Sequence, residues 1–192
     1  MTLDLVLAQA LNGLQYGILL FLLGAGLTLV LGIMNFVNLA HGSLYMLGAY
    51  VGATVFLSTG SFVAAGVATV FGMFVIGVVV ERTTLRVFYG RDHLDQVLAT
   101  FGLILFFNEL VGIIWGPQPL YMRPPAGFTG SLNILDMTYP SYRFLVIIVG
   151  LAVAAGLYFL IHRTRVGMLI RAGASNSRMV SLLGVNIGLL NT

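Results

Sequence analysis

Cysteine is absent, which excludes a disulfide framework and a thiolate metal site. Lysine is absent too, and with it any Gly-x-x-x-x-Gly-Lys-Ser/Thr phosphate loop, so this chain does not hydrolyse ATP by that route. Charge is scarce: 8% of residues are charged, against about 25% in soluble domains. Between Asp4 and Glu81, 76 residues pass without a formal charge. No water-facing surface can be made from such a stretch, and the solvent this chain expects is lipid.

What is present fits that solvent. Hydrophobic residues make up 59% of the 192, with a mean hydropathy of +1.02. About 20 apolar residues cross a bilayer core of about 30 Å, so the charge-free stretch alone has room for about three spans. Its start reads as an uncleaved span, because no basic n-region precedes it and the apolar run is too long for a signal peptide.

Five spans follow from the pattern, which predicts an all-α, multi-pass helix bundle in a single domain, 1–192. They cover about 9–32, 39–57, 62–80, 96–115 and 143–161. A break falls at Asn35-Phe36-Val37-Asn38, and Ser58-Thr59-Gly60-Ser61 makes a short turn. Glu81 to Asp95 is a charged loop. Gly116 to Tyr142 holds all five prolines, with Asn133 and Asp136, and reads as an ordered external loop. A basic segment, His162 to Thr192, closes the chain.

The nine arginines set the orientation. Arg82, Arg86, Arg91, Arg163, Arg165, Arg171 and Arg178 fall on one side, and Arg123 and borderline Arg143 on the other. Seven against two puts the N-terminus outside and the C-terminus in the cytoplasm. Trp115, Tyr121, Tyr139 and Tyr142 are placed near the outer water boundary. Small residues let helices approach closely in lipid. Gly13-x-x-x-Gly17, Gly48-x-x-x-Gly52 and the weaker Ala152-x-x-x-Gly156 have that spacing.

Polar groups inside spans need partners. Asn35, Asn38 and His41 recur at i, i+3 and i+6, beside Gly42 and Ser43, and would share a broad helical face. They either satisfy backbone groups at a helix break or line a path. No second metal ligand stands at ligand spacing from His41. Asn108-Glu109 interrupts the fourth span, and Glu109 reads as structural, path-lining or proton-coupling. The basic segment, wound as one helix, puts Arg171, Ser175 and Arg178 on one face. Ala172, Met179, Val180, Leu183 and Ile187 gather on the other. It is too polar to span. It lies on the membrane surface or docks in a cytoplasmic partner.

Four stretches resemble the inner-membrane permease subunits of branched-chain amino acid ABC transporters. They are Leu27 to Tyr50, with its Asn35-Phe-x-x-x-x-His41-Gly42 core, Leu98-Ala-Thr-Phe-Gly-Leu-Ile-Leu, Trp115-Gly-Pro, and Arg165-x-Gly-x-x-x-Arg-Ala172 with Gly184-Val-Asn186. The likeness covers nearly the whole chain. It implies a permease subunit in a bacterial cytoplasmic membrane that carries branched-chain amino acids or a related small amino acid or amide. Its implied partners are ABC ATPase subunits, a second permease subunit, a periplasmic binding protein and membrane lipid, with no nucleic acid and no cofactor. Residues 163–192 then form the cytoplasmic coupling segment, with Gly167, Arg171, Ala172, Ser175, Asn176, Arg178 and Gly184 toward the ATPase. The Glu-Ala-Ala coupling motif of other ABC permeases is replaced by Arg171-Ala172. Asn35, Asn38, His41, Gly42 and Glu109 are the candidates for the substrate path. Family members continue with further spans, so a chain stopping at Thr192 is expected to be a truncated product, an incomplete gene model or a fragment.

Other classes fit less well. A secondary transporter or channel predicts ionisable groups in several spans, and only Glu109 qualifies. A membrane-embedded enzyme predicts clustered His, Asp or Glu, whereas His41, His93 and His162 fall in separate regions. A scaffold without transport activity would differ in failing to bind an ATPase.

Overall fold

In the computed structural model, residues 3–34, 36–122, 124, 127–134 and 137–185 are described. Six helices carry the fold: α1 (Leu3–Met34), α2 (His41–Thr59), α3 (Phe62–Thr83), α4 (His93–Trp115), α5 (Ser141–Arg163) and α6 (Arg165–Leu182). A 3-10 turn covers Leu85–Phe88. The chain is an all-α multi-pass membrane protein. Four helical stretches, Leu5–Gly32, Phe62–Thr83, His93–Trp115 and Ser141–Arg163, are long and apolar enough to cross a bilayer. The remaining expected span is α2. It has 19 residues and opens on His41-Gly42-Ser43, which makes it less apolar than the other four.

Two compact units are present. One comprises Met1–Gly26 and Arg123–Gly167, the other Leu27–Met122 and Met168–Thr192. In the first, a two-stranded antiparallel hairpin, β1 (Ser131–Ile134) and β2 (Met137–Pro140), pairs Ser131 with Pro140 and Ile134 with Met137. Pro140 ends β2, its fixed φ of −61° leading straight into α5. Ser141 ties this corner down, its hydroxyl donating to the Phe128 and Gly130 carbonyls at 2.8 and 2.7 Å. The expectation for this stretch was a loop. Four-residue strands carry too little alternation to be read from sequence. Tyr139, expected near the outer water boundary, is buried within the protein, and its hydroxyl donates to Asn12 Oδ1 of α1 at 3.3 Å. Arg143 Nη1 donates to the same oxygen at 2.8 Å.

In the second unit α2 packs against both α3 and α4. Phe36, Leu47, Val80, Leu85, Phe107 and Val111 form the core. Thr59-Gly60-Ser61 turns α2 into α3, as expected. Gly60 N–H closes α2 on the Phe56 carbonyl at 2.8 Å, and Ser61 Oγ accepts from Ala64 N–H at 3.3 Å to cap α3.

Only one of the three small-residue motifs marks a crossing among the described residues. A Cβ on Gly52 would come within 2.7 Å of Thr69 Oγ1, and one on Gly48 within 3.2 Å of Met73 Cγ, so α2 and α3 meet there. Nothing lies within 4 Å of such an atom on Gly13, Gly17 or Gly156. The close approach of α1 and α5 falls instead at Gly150, against Ile18. Spacing alone does not say which face of a helix meets its neighbour. Replacing Gly52 with Leu is expected to cost about 1–3 kcal/mol through overpacking. Gly156→Leu, with open space around it, should not destabilise and should gain up to about 1 kcal/mol from helix propensity. Thermal unfolding of both variants in the same detergent checks the contrast.

Candidate functional site

The break between α1 and α2 is where the second unit concentrates its buried polar groups. A helix through this junction would have put Asn38 and His41 on a common face. That face does not form. Residues 36–38 are non-helical, 39 and 40 make a turn, and α2 begins only at His41. Asn35 lies outside the described residues. The reason is local: Asn38 Oδ1 accepts from Ala40 N–H at 3.0 Å, a side-chain turn that competes with helix.

A buried backbone without helical hydrogen bonds requires other partners. Side chains of α4 supply them. Gln96 Oε1 accepts from Val37 N–H at 3.2 Å, and Gln96 Nε2 donates to the Phe88 and Arg91 carbonyls at 3.3 and 3.2 Å. Thr100 Oγ1 lies 3.5 Å from the Val37 carbonyl and 2.8 Å from that of Gln96. Gln96 is 3% exposed and Thr100 and Phe36 are fully buried, so water is no substitute. Higher on α4, Asn108 Oδ1 accepts from Ser43 Oγ at 3.5 Å. From Gln96 to Asn108 is about 18 Å along a helix. Ser43 in the first turn of α2 thus meets α4 at Asn108, well along that helix from Gln96, and α2 starts partway up α4.

Sequence reading named Asn38, His41, Gly42 and Glu109 but not Gln96 or Thr100. The structure brings Asn38 and Gln96 to the same segment. His41 is half-buried and Gly42 exposed at the first turn of α2, and Glu109 is exposed on α4. The signal for Gln96 was a lone amide at the mouth of an apolar run, with Thr100 one turn on. It was read as a span boundary.

Below this network, Glu81 is buried at the end of α3. Its Oε1 accepts from the Tyr89 hydroxyl at 2.8 Å, and the Tyr89 ring meets Phe36 edge-on at 5.8 Å. Burial pushes the Tyr89 phenol above its ordinary value of 10.0, and the Glu81 hydrogen bond and charge push the same way, against Arg86.

The basic segment is helical from Arg165 to Leu182 but not continuous. Asn176 has φ −157° and ψ 90°, and its Oδ1 accepts from Met179 N–H at 3.1 Å. It is an N-cap, and it divides α6 into two short helices. The single face expected to carry Arg171, Ser175 and Arg178 is therefore interrupted. Arg171 and Ser175 are exposed and Ala172 half-buried on the first piece, whereas Arg178 lies beyond the cap. Of the described residues expected on the opposite face, Met179 and Leu183 are exposed and Val180 is buried. Ile187 and Asn186 lie outside the described residues. Gly184 closes the second piece at φ 85°, a left-handed conformation that favours glycine. Its N–H bonds the Ser181 carbonyl at 3.0 Å, and Val185 N–H bonds that of Val180 at 3.3 Å.

At the start of α6, Thr164 joins two helices. Its hydroxyl donates to the Leu160 carbonyl at 2.6 Å and accepts from Gly167 N–H at 3.0 Å. A Cβ on Gly167 would strike the carbonyl oxygens of Leu160 and Ile161, so this corner admits only hydrogen. Gly167, Asn176 and Gly184 thus shape the segment. Among the described residues no group of three or more His, Cys, Asp or Glu could hold a metal ion.

Four helices fit to cross a bilayer define a polytopic, all-α membrane protein. The family of branched-chain amino acid transport system permease components matches residues 9–191, and the chain belongs to it. It is 29% identical over 192 residues to the high-affinity branched-chain amino acid transport system permease protein BraD of Pseudomonas aeruginosa, covering 94% of this chain and 62% of that one. Identity to the LivH permease protein of the same description from Escherichia coli K12 is 28% over 194 residues, with the same coverage. A probable branched-chain amino acid transport permease protein LivH of Methanocaldococcus jannaschii is 25% identical over 182 residues, 90% of this chain and 56% of that one. The chain thus spans less than two thirds of the length of these relatives. No solved structure matches it.

Gln96→Leu should strand the Val37 N–H and two carbonyls and cost about 1–3 kcal/mol, measured by denaturation in detergent. Tyr89 gives a pH dependence of defined sign. Its folded-state pKa is raised, so its contribution is complete below pH 10 and is lost as pH rises further. Tyr89→Phe should remove this alkaline loss from the pH–stability curve.

Proposed function

We propose that the chain is the membrane-spanning permease subunit of an ATP-driven importer, forming part of the path for branched-chain amino acids or a related small amino acid or amide. The observation that carries this reading is the family match over residues 9–191. The shape of the Thr164–Gly184 segment supports it. Two short helices, divided and capped at Asn176, offer a surface for ATPase subunits, with Arg171, Ser175 and Arg178 as contact residues. A second permease subunit and a substrate-binding protein complete the proposed assembly, in a bacterial cytoplasmic membrane. The arginine distribution supports an external N-terminus and a cytoplasmic α6.

The proposed path runs by the start of α2. The first N–H groups of a helix have no acceptor within it, and Ala40 provides no side-chain cap there. The N–H groups of His41 and Gly42, within the depth spanned by α4, are placed to meet a carboxylate passing through, and the positive end of the helix dipole favours it. Asn38 holds the turn that sets this geometry. Glu109 is exposed and stands alone, which supports a contact with a neighbouring span over a proton-coupled carrier.

The test is purification from native membranes in mild detergent, with mass spectrometry of what co-purifies. An ABC ATPase and a second permease should appear with the unaltered chain. Arg171→Glu combined with Arg178→Glu should release the ATPase and retain the permease. Absence of any ATPase with the unaltered chain would sink the reading.

A further inference from the structure

An apolar groove of about 490 Å³ runs between α3 and α4. Val75 and Val79 line one wall, Leu103 and Phe106 the other, and Thr83 and Thr84 stand at one end. It exists because α2 packs on both helices and holds them apart on this face. Two turns of a helix with side chains, ~10 Å across, fill roughly 800 Å³. The groove is smaller than that and falls within the ~300–1,000 Å³ of small-molecule sites.

The chemistry changes sign of polarity along it. The walls are aliphatic and aromatic, while the end carries two hydroxyls, with Thr83 Oγ1 3.4 Å from Thr84 Oγ1. Val75, Val79 and Arg82 follow one another at i, i+4 and i+7, a single row on α3. Arg86 lies two residues beyond Thr84, in the 3-10 turn. Both arginines are exposed, and neither forms an ion pair among the described residues. The acid beside them, Glu81, is buried against Tyr89.

We propose that this groove holds an acyl chain of an anionic glycerophospholipid, with Arg82 and Arg86 facing its phosphate and the threonine hydroxyls at the level of its esters. An apolar slot at membrane depth beneath two exposed cations has the chemistry of that amphiphile. A zwitterionic lipid would satisfy the slot without rewarding the cations.

Native mass spectrometry of the whole chain, titrated in detergent with phosphatidylglycerol or phosphatidylcholine of identical acyl chains, tests it. Phosphatidylglycerol should be retained more strongly, by roughly fivefold for each arginine. Arg82→Gln with Arg86→Gln should abolish the preference, and the two Lys replacements should keep most of it. Val79→Trp, which fills the slot, should lower retention of both lipids. If that variant loses its helical circular dichroism, Leu103→Phe narrows the opposite wall and is read in the same way. Equal retention of the two lipids overturns the proposal. So does a preference that survives the double Gln change, or displacement of the lipid by inorganic phosphate alone. A groove-filling variant that alters oligomeric state and leaves lipid retention unchanged assigns the groove to a second copy and overturns it too.

Discussion

A peptide group in hydrocarbon must find a hydrogen bond within the protein. Most of this chain meets the demand by being helical. The exception is the run from Phe36 to Ala40, and the second unit is organised around it. Gln96 acts as surrogate backbone for the Val37 N–H, the Thr100 hydroxyl stands 3.5 Å from the Val37 carbonyl, and Asn38 serves Ala40. Phe36 anchors the segment in the core beside Leu85 and Phe107. Gln96 also reaches the carbonyls of Phe88 and Arg91, so one side chain joins the α1–α2 connection to the α3–α4 loop. A partly satisfied network of this kind would be worse than an apolar core. That cost explains the burial of a glutamine and a threonine where leucine would otherwise serve.

Much of this was visible in the amino-acid order. A charge-free run fixes lipid as the solvent, and apolar lengths locate helices to within a few residues. α1 is the largest discrepancy, starting at Leu3 where a span from residue 9 was expected, because nothing in residues 3 to 8 breaks a helix. The Thr59-Gly60-Ser61 turn and the Gly116 end of α4 were legible because their chemistry is local. The partners of Val37 were not. They lie 59 and 63 residues away, and no periodicity reports a contact at that range.

The candidate residues divide along the same line. Asn38 was rightly singled out as a polar group at a break, but a helical face was the wrong frame for it, since its side chain turns the chain out of helix. Gly167 and Gly184 were noticed by resemblance, and the geometry gives each a reason: one sits against two carbonyls, the other at positive φ. Asn176 looked like one more polar residue on an amphipathic stripe. Its backbone angles make it a divider instead, and asparagine within a helical pattern carries that ambiguity whenever an N–H three residues on can use its oxygen.

The distance between Val37 and its partners also bears on how the protein is made. Chains grow from the N-terminus. When α1 and the segment after it have been synthesised, Gln96 and Thr100 do not yet exist. The segment's amide and carbonyl must stay hydrated, or be held by the insertion machinery, through the synthesis of α2 and α3. The α2–α3 hairpin, closed by its own caps and the Gly52–Thr69 contact, can seat itself first. The polar connection before it finds its partners only once α4 arrives. The link that joins the first helix to the second is thus completed by residues that are synthesised after the second and third helices.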